Sequence, residues 1–218
     1  MILIEHTDVY ESSLAAAIRG MRNPKNSWIL SDSDWTDPLT YKIGKKDLTL
    51  AEALATAGTD HGKFLRQIIL SADITAPLYW WKEYDTYKVG TVTNSCSTMH
   101  KIHDKIITRS DFSHEYLYED NGRNKNPIEV LDYVISELNY WRNKYIKTRD
   151  KNAWWKLIQL LPSSYNQKRT VTLNYAVLRN IYHSRSNHKL DEWRDFCKWI
   201  KDLPYAEELI ISKRADET

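Results

Sequence analysis

Cysteine is scarce in this sequence. Only Cys96 and Cys197 occur, far apart and outside any C-x-x-C pair. That argues against a disulfide framework or a structural zinc site, and makes the reducing cytoplasm the simplest compartment to expect. Glycine and proline number six each. No linker, repeat or low-complexity tract is built from so few, and a single domain over residues 1–218 is expected. Long apolar runs are missing. The opening "MILI" meets Glu5 and Asp8 at once, unlike a signal peptide, and nothing approaches the roughly 20 residues of a spanning helix. Charge of one sign is not in excess either: 31 Lys and Arg face 29 Asp and Glu, which gives no general argument for nucleic acid or membrane as a partner. Neither G-x-x-x-x-G-K-[ST] nor G-x-G-x-x-G is present, so a P-loop or Rossmann site has no support. His100 with His103, and His183 with His188, lack a Cys or carboxylate at ligand spacing, and no metal site is expected.

What is present is aromatic. Nine Trp and fourteen Tyr stand against three Phe, and such amphipathic rings suit ligand walls and interfaces as well as cores. The chain is also long enough to bury a core without staples. Helical spacing of Leu14, Ala17, Ile18 and Met21 predicts a helix over 11–23, with Ser12 or Ser13 as its cap. Residues 27–47, punctuated by Asp, Ser, Pro and Gly, read as loop with a short hairpin. A helix over 47–58 is capped by Asp47 or Thr49 and stopped by Gly58. A short helical turn over 58–67 precedes a strand over 67–75, and Pro77 opens a helix through "LYWWKEYDTYKV". Residues 101–125 are charged and lead into the turn-rich "EDNGRNKN". The clearest helix then begins at Pro127, with Ile128, Leu131, Leu138, Trp141 and Tyr145 recurring at helical spacing. Helices follow through "KNAWWKLIQLL", over 170–185 and over 189–203. The fold class expected is α+β, long helices with a small antiparallel sheet. Residues 142–151, "RNKYIKTRDK", read as a solvated helix face, and nucleic acid is not expected as a partner.

Two stretches carry candidate chemistry. In 161–200, Asn174 and Arg185 lie eleven residues apart. On a helix that spacing puts them on one face, roughly 16 Å apart along the axis, within reach of one large ligand. The plain alternative makes Asn174 a helix cap and Arg185 a surface charge. The other stretch is "TNSCSTMH", 93–100. It has the short polar side chains of a phosphate cradle, and equally those of a helix cap at Ser95 to Thr98. Nothing in the sequence around Cys96 marks it as an activated thiol.

Together the two stretches resemble the flavin-dependent thymidylate synthases. Leu161-Pro162, Thr172-x-Asn174, Arg185 and, with one residue deleted, Glu192-x-Arg194 are similar to that family's C-terminal signature. Its N-terminal signature, R-H-R-x-x-S-x-N-E-x-S-x-R-Y, matches at Asn94 and Ser97. Ser95 replaces Glu, Met99 replaces Arg and His100 replaces Tyr. The R-H-R block falls on Tyr87, Lys88 and Val89, or in a gapped register on Lys82, Glu83 and Tyr84. Gly58 and His61 stand where the family has a Gly-His segment.

The resemblance implies FAD as cofactor, held by Asn174, Lys88 and His61, and a dUMP-like pyrimidine nucleotide held by Asn94, Ser97 and Arg185. Arg185 is also the implied catalytic group, acting on the pyrimidine ring for one-carbon transfer to C5. Reduced nicotinamide and methylene-tetrahydrofolate take part only if the family reaction is retained. A homotetramer is implied as well. Because Met99, Tyr87 and Val89 remove charges that hold phosphate in the family, a second reading is a catalytically inactive homologue that serves as a nucleotide-binding, regulatory or protein-interaction scaffold.

Overall fold

The computed structural model describes residues 1–119, 122 and 126–213. Most of the expected "EDNGRNKN" turn therefore lies outside the described residues. The fold is α+β with a small antiparallel sheet. Four strands, β1 (Leu3–Val9), β4 (Ile69–Pro77), β5 (Val92–Ser95) and β6 (Asn166–Asn174), are ordered β1-β4-β6-β5. In β4, Leu70, Ala72, Ile74 and Ala76 are buried at every second position, the period a half-buried strand imposes. The expected hairpin in 27–47 is β2 (Asp34–Asp37) with β3 (Thr40–Lys42), paired antiparallel.

Clustering of contacts divides the chain into two compact units. The first comprises Met1–Leu3, Ile74–Thr86 and Asn94–Arg169. It holds α3 (Leu78–Tyr84), the short α4 (Thr98–Lys101), α5 (Pro127–Thr148) and α6 (Lys151–Gln159). Helix α5 starts as the sequence predicts. Pro127 occupies its first turn, and Asn126 with Glu129 forms a reciprocal capping box. Ile102, Ile107, Phe112, Leu131, Leu138 and Leu157 make this unit's core. Helix α3 stops at Tyr84, well short of the expected Val89. Trp80, Trp81 and Tyr84 are its core-facing residues, with ring centroids 4.8 to 5.2 Å apart. Asp85 and Thr86 are exposed, so nothing beyond Tyr84 rewards another helical turn.

The second unit comprises Ile4–Asp73, Tyr87–Thr93 and Thr170–Thr218. It holds α1 (Glu11–Met21), α2 (Lys45–Thr56), α7 (Tyr175–Arg185) and α8 (Asp191–Lys201). On α8, Trp193, Phe196, Cys197 and Ile200 are buried at i, i+3, i+4 and i+7, one apolar stripe.

Three sequence expectations change here. The cap of α1 is Tyr10, and Ser13 instead donates its hydroxyl to the Tyr10 carbonyl (2.6 Å) and accepts from the Ile69 N–H (2.9 Å). Asp47 does not cap α2. It sits in the first turn, fully buried, accepting from Arg22 Nε (2.5 Å) and from the Ser31 and Ser33 hydroxyls (2.6 Å each). Asp32 caps in its place, accepting from the Lys46 and Asp47 N–H groups. Last, residues 170–174 are strand, not helix. Val171 and Leu173 turn inward, while Thr170 and Thr172 hydrogen-bond to Asp73 (2.6 Å) and Ser71 (2.8 Å). Alternating β-branched residues with cross-strand hydroxyl partners favour the pleated form.

Candidate functional site

Helix α7 begins and ends on the two residues singled out by spacing. Asn174 is its N-cap, and Asn174 Oδ1 accepts from the Val177 N–H at 3.0 Å. Arg185 is its last residue. The plain reading of Asn174 as a cap is therefore correct as local structure. Its amide nitrogen faces Gly90, whose φ is +82° and where an added Cβ would come within 2.5 Å of Nδ2. Only glycine fits there, on both backbone and steric grounds.

The segment before Gly90 reaches the other end of α7. Tyr87 OH accepts from Arg185 Nε at 2.8 Å. The Arg185 guanidinium also lies 5.8 Å from the Tyr87 ring and 5.5 Å from the Trp193 ring, and those rings meet edge-on at 5.9 Å. The His188 ring lies 6.3 Å from the Trp193 ring, and the His188 backbone N–H donates to the Arg185 carbonyl at 3.0 Å. Stacking and a directed hydrogen bond fix a planar guanidinium in place. The segment 87–90 thus runs along α7, from Arg185 at one end to Asn174 at the other. Lys88 and Val89 are both exposed on it. In the gapped register Tyr84 is locked in the aromatic core of the first unit, where burial pushes its hydroxyl pKa far up.

Two partners of Arg185 escaped the sequence reading. Tyr87 counted there as a lost arginine, whereas it supplies the acceptor that orients Arg185. Trp193 sits between the two matched residues of the E-x-R element, and nothing local distinguishes it from other core tryptophans. Arg194 has a structural task. It donates to the His188 and Lys189 carbonyls (3.0 and 3.4 Å) and pairs with Asp191, closing the loop before α8. Glu192 is buried.

His61 lies elsewhere in the second unit, exposed, on the wall of a cleft of about 780 Å³. Met21, Leu54 and Phe64 give its lining apolar surface, and Lys25 and Lys63 line it as well. Asn174, Arg185 and Lys88 do not line it.

In the first unit, Ser97 caps α4, its Oγ accepting from the His100 N–H at 3.1 Å. Ser97 and Cys96 line a cavity of about 640 Å³ with Lys101, Lys105, Lys168 and Tyr165. Two of those lysines are already matched to carboxylates, Lys101 to Asp104 at 3.0 Å and Lys105 to Asp111. The hydrogen bond that Lys105 donates to Asp111 raises the Lys105 pKa above its ordinary value. Asn94 is exposed on β5 and outside this cavity. Met99 is half exposed, and its carbonyl accepts from Trp154 Nε1 at 3.1 Å. Among the described residues no group of three or more His, Cys, Asp or Glu is placed to hold a metal ion, and no helix is long and apolar enough to cross a membrane.

No family model matches the sequence, and no curated protein matches it. Solved structures do. A flavin-dependent thymidylate synthase from Helicobacter pylori, complexed with FAD and dUMP, superposes with a TM-score of 0.64 at 16% identity, over 98% of this chain and 99% of that one. A second structure of the Helicobacter pylori enzyme with FAD and dUMP gives 0.63 at 16% identity, over 96% of each chain. A UMP/dUMP methylase from Streptomyces cacaoi, bound with 5-Br dUMP, gives 0.62 at 14% identity, over 98% of this chain and 96% of that one. The fold of the described residues is the one that flavin-dependent thymidylate synthases adopt.

Proposed function

We propose that this protein is a divergent flavin-dependent thymidylate synthase-like protein that binds FAD and a dUMP-like pyrimidine nucleotide. The observation that carries the reading is Arg185, a guanidinium held by Tyr87 and Trp193 at the end of a helix whose other end is Asn174. A guanidinium fixed in this way suits the carbonyl edge of a pyrimidine or a phosphate, and its orientation is set before the ligand arrives. Arg185 is the residue assigned to the nucleotide and to catalysis at C5, and Ser97 and Asn94, in the first unit, are assigned to the nucleotide on the resemblance alone.

The cleft at His61 supports the flavin assignment. The cleft has the volume of a small-molecule site. It offers an apolar lining for a ring system, His61 as a polar contact, and Lys25 and Lys63 for phosphate oxygens. Asn174 and the exposed Lys88, assigned to the flavin on the resemblance, lie outside this cleft. When bound, the cofactor supplies hydride chemistry. Methylene-tetrahydrofolate and reduced nicotinamide enter only if the full reaction is retained, and a homotetramer belongs to the same reading.

A second reading, a silent nucleotide-binding or regulatory scaffold, is favoured by the first unit. There Met99 replaces an arginine, and Lys101 and Lys105 are paired with carboxylates. The visible absorption spectrum with and without added FAD, together with dUMP titration by calorimetry, separates the readings. Bound flavin with dUMP affinity lost in Arg185→Ala supports the first. dUMP binding without flavin supports the second. A protein that ignores both ligands overturns both.

A further inference from the structure

Tyr87 carries a proton that the second unit does not use. Its hydroxyl oxygen accepts from Arg185 Nε at 2.8 Å, and a phenol has one O–H left to donate. Among the described residues no acceptor stands within hydrogen-bond distance of it. The side chain is half-buried, so water or a ligand takes the proton.

The hydroxyl is held in place along the chain and across it. The Tyr87 carbonyl accepts from Thr91 Oγ1 at 2.5 Å, which ties the chain on either side of the turn at Val89 and Gly90. Gly90 lies against the Asn174 amide. The Tyr87 ring meets the buried Trp193 ring edge-on at 5.9 Å. Tyr87, Gly90, Asn174, Arg185 and Trp193 all belong to the second unit. A donor fixed in this way needs little reordering when a ligand arrives.

A guanidinium only donates, and the Tyr87 oxygen already accepts from one, so the pair is matched to an acceptor. A phosphate fits less well than a carbonyl. It is held best by clustered cations and N–H groups, whereas here a neutral phenol and the Trp193 ring stand beside the Arg185 guanidinium. Lys88 is the one cation in the segment 87–93, and it is exposed. We infer that the Tyr87 hydroxyl donates to the 4-carbonyl oxygen of the bound pyrimidine, and that this contact selects uracil over cytosine. The inference rests on the nucleotide reading above, in which Arg185 acts at C5, the carbon next to that carbonyl. Cytosine carries an amino group at C4. It would point its own N–H groups at two donors and leave both without an acceptor, which costs more than the contact itself. The 2-carbonyl, common to both bases, cannot discriminate them.

Calorimetric titration of the full chain with dUMP, dCMP and deoxyuridine tests this. The parent should favour dUMP over dCMP. Tyr87→Phe keeps the ring and its edge contact, and should melt near the parent. It should weaken dUMP binding roughly 2- to 10-fold, the range of one neutral hydrogen bond. Deoxyuridine should lose the same factor and dCMP none, so the preference narrows. The loss should persist when Tyr87→Phe is added to Arg185→Ala, because a direct contact does not act through Arg185. Any of five results overturns the inference and leaves the nucleotide reading intact: a parent that binds dUMP and dCMP alike, undiminished dUMP affinity in Tyr87→Phe, an equal loss for dCMP, a loss for dUMP without one for deoxyuridine, or no further loss in the Arg185→Ala background, which would make Tyr87 a positioning residue alone. A parent that binds no dUMP overturns the nucleotide reading and this inference together.

Discussion

The end of α7 and the cavity beside Ser97 both place cations where a nucleotide is expected, and they treat those cations differently. At the end of α7, Arg185 is positioned by a phenol hydroxyl and two ring faces. Beside Ser97, Lys101 and Lys105 are positioned by Asp104 and Asp111. The aromatic wall orients the guanidinium through ring faces and one hydrogen bond, whereas the carboxylates orient the ammonium groups by pairing with their charge. An anion entering the second region must displace an acid first. A phosphate-binding residue is thus defined by what holds it as much as by its own charge.

The comparison breaks most completely at Trp193. Fully buried, it belongs both to the core and to the wall behind Arg185. Trp193→Ala should destabilise the protein by about 3–5 kcal/mol, read from denaturant unfolding, and should loosen Arg185 as well. A stable Trp193→Ala protein with undiminished dUMP affinity would show that the wall has no part in recognition. Arg185→Ala is the cleaner cut, because the side chain is half-buried and its loss opens no large cavity. The expected outcome is a fall in dUMP affinity of roughly 10- to 100-fold, from one lost charge-assisted contact of about 1.5–3 kcal/mol, with little change in Tm. An equal fall in a Lys105→Ala protein would place the nucleotide's anion in the first unit instead.

These sites were unevenly legible in the sequence. Helical periodicity located α5 and α8, and Pro127 marked where α5 begins, because those signals are local. Spacing singled out Asn174 and Arg185, although Asn174 ends a strand and the helix starts after it. The strand was missed because Thr170 and Thr172 are satisfied by Asp73 and Ser71, about a hundred residues away in the chain, and no window of sequence contains that pairing. Asp47 reads locally as a cap for the same reason. Its real partner, Arg22, lies 25 residues earlier. Tyr87 resembles a lost arginine in an alignment, and its role depends on a helix almost a hundred residues later.

A smaller effect sharpens the assignment of Asn174 itself. As an N-cap it contributes about 1 kcal/mol, which Asn174→Ala removes and Asn174→Ser largely keeps, since serine caps nearly as well. The serine variant should therefore melt near the parent. A loss of FAD affinity in that variant would assign the Asn174 amide to the cofactor. Retained affinity would leave Asn174 as a cap alone and shift the flavin contacts toward His61 and Lys88.

The smallest effect concerns Lys105, and it tests the other half of the comparison. The hydrogen bond it donates to Asp111 raises its pKa above the ordinary 10.5. A raised folded pKa means that the pair stabilises the protein at every pH below 10.5 and loses that contribution as pH climbs through the folded value. Lys105 is more than half exposed, so water screens the pair and the stability at stake is about 1 kcal/mol or less. NMR of the Lys105 side-chain amine should show a titration above 10.5 in the parent and a return toward 10.5 in Asp111→Asn. The same substitution frees an ammonium beside Ser97, so inorganic phosphate should bind the variant more tightly than the parent. A Lys105 that titrates normally in both proteins, with phosphate affinity unchanged, would mean that its charge was never held by Asp111, and the contrast with Arg185 would need another cause.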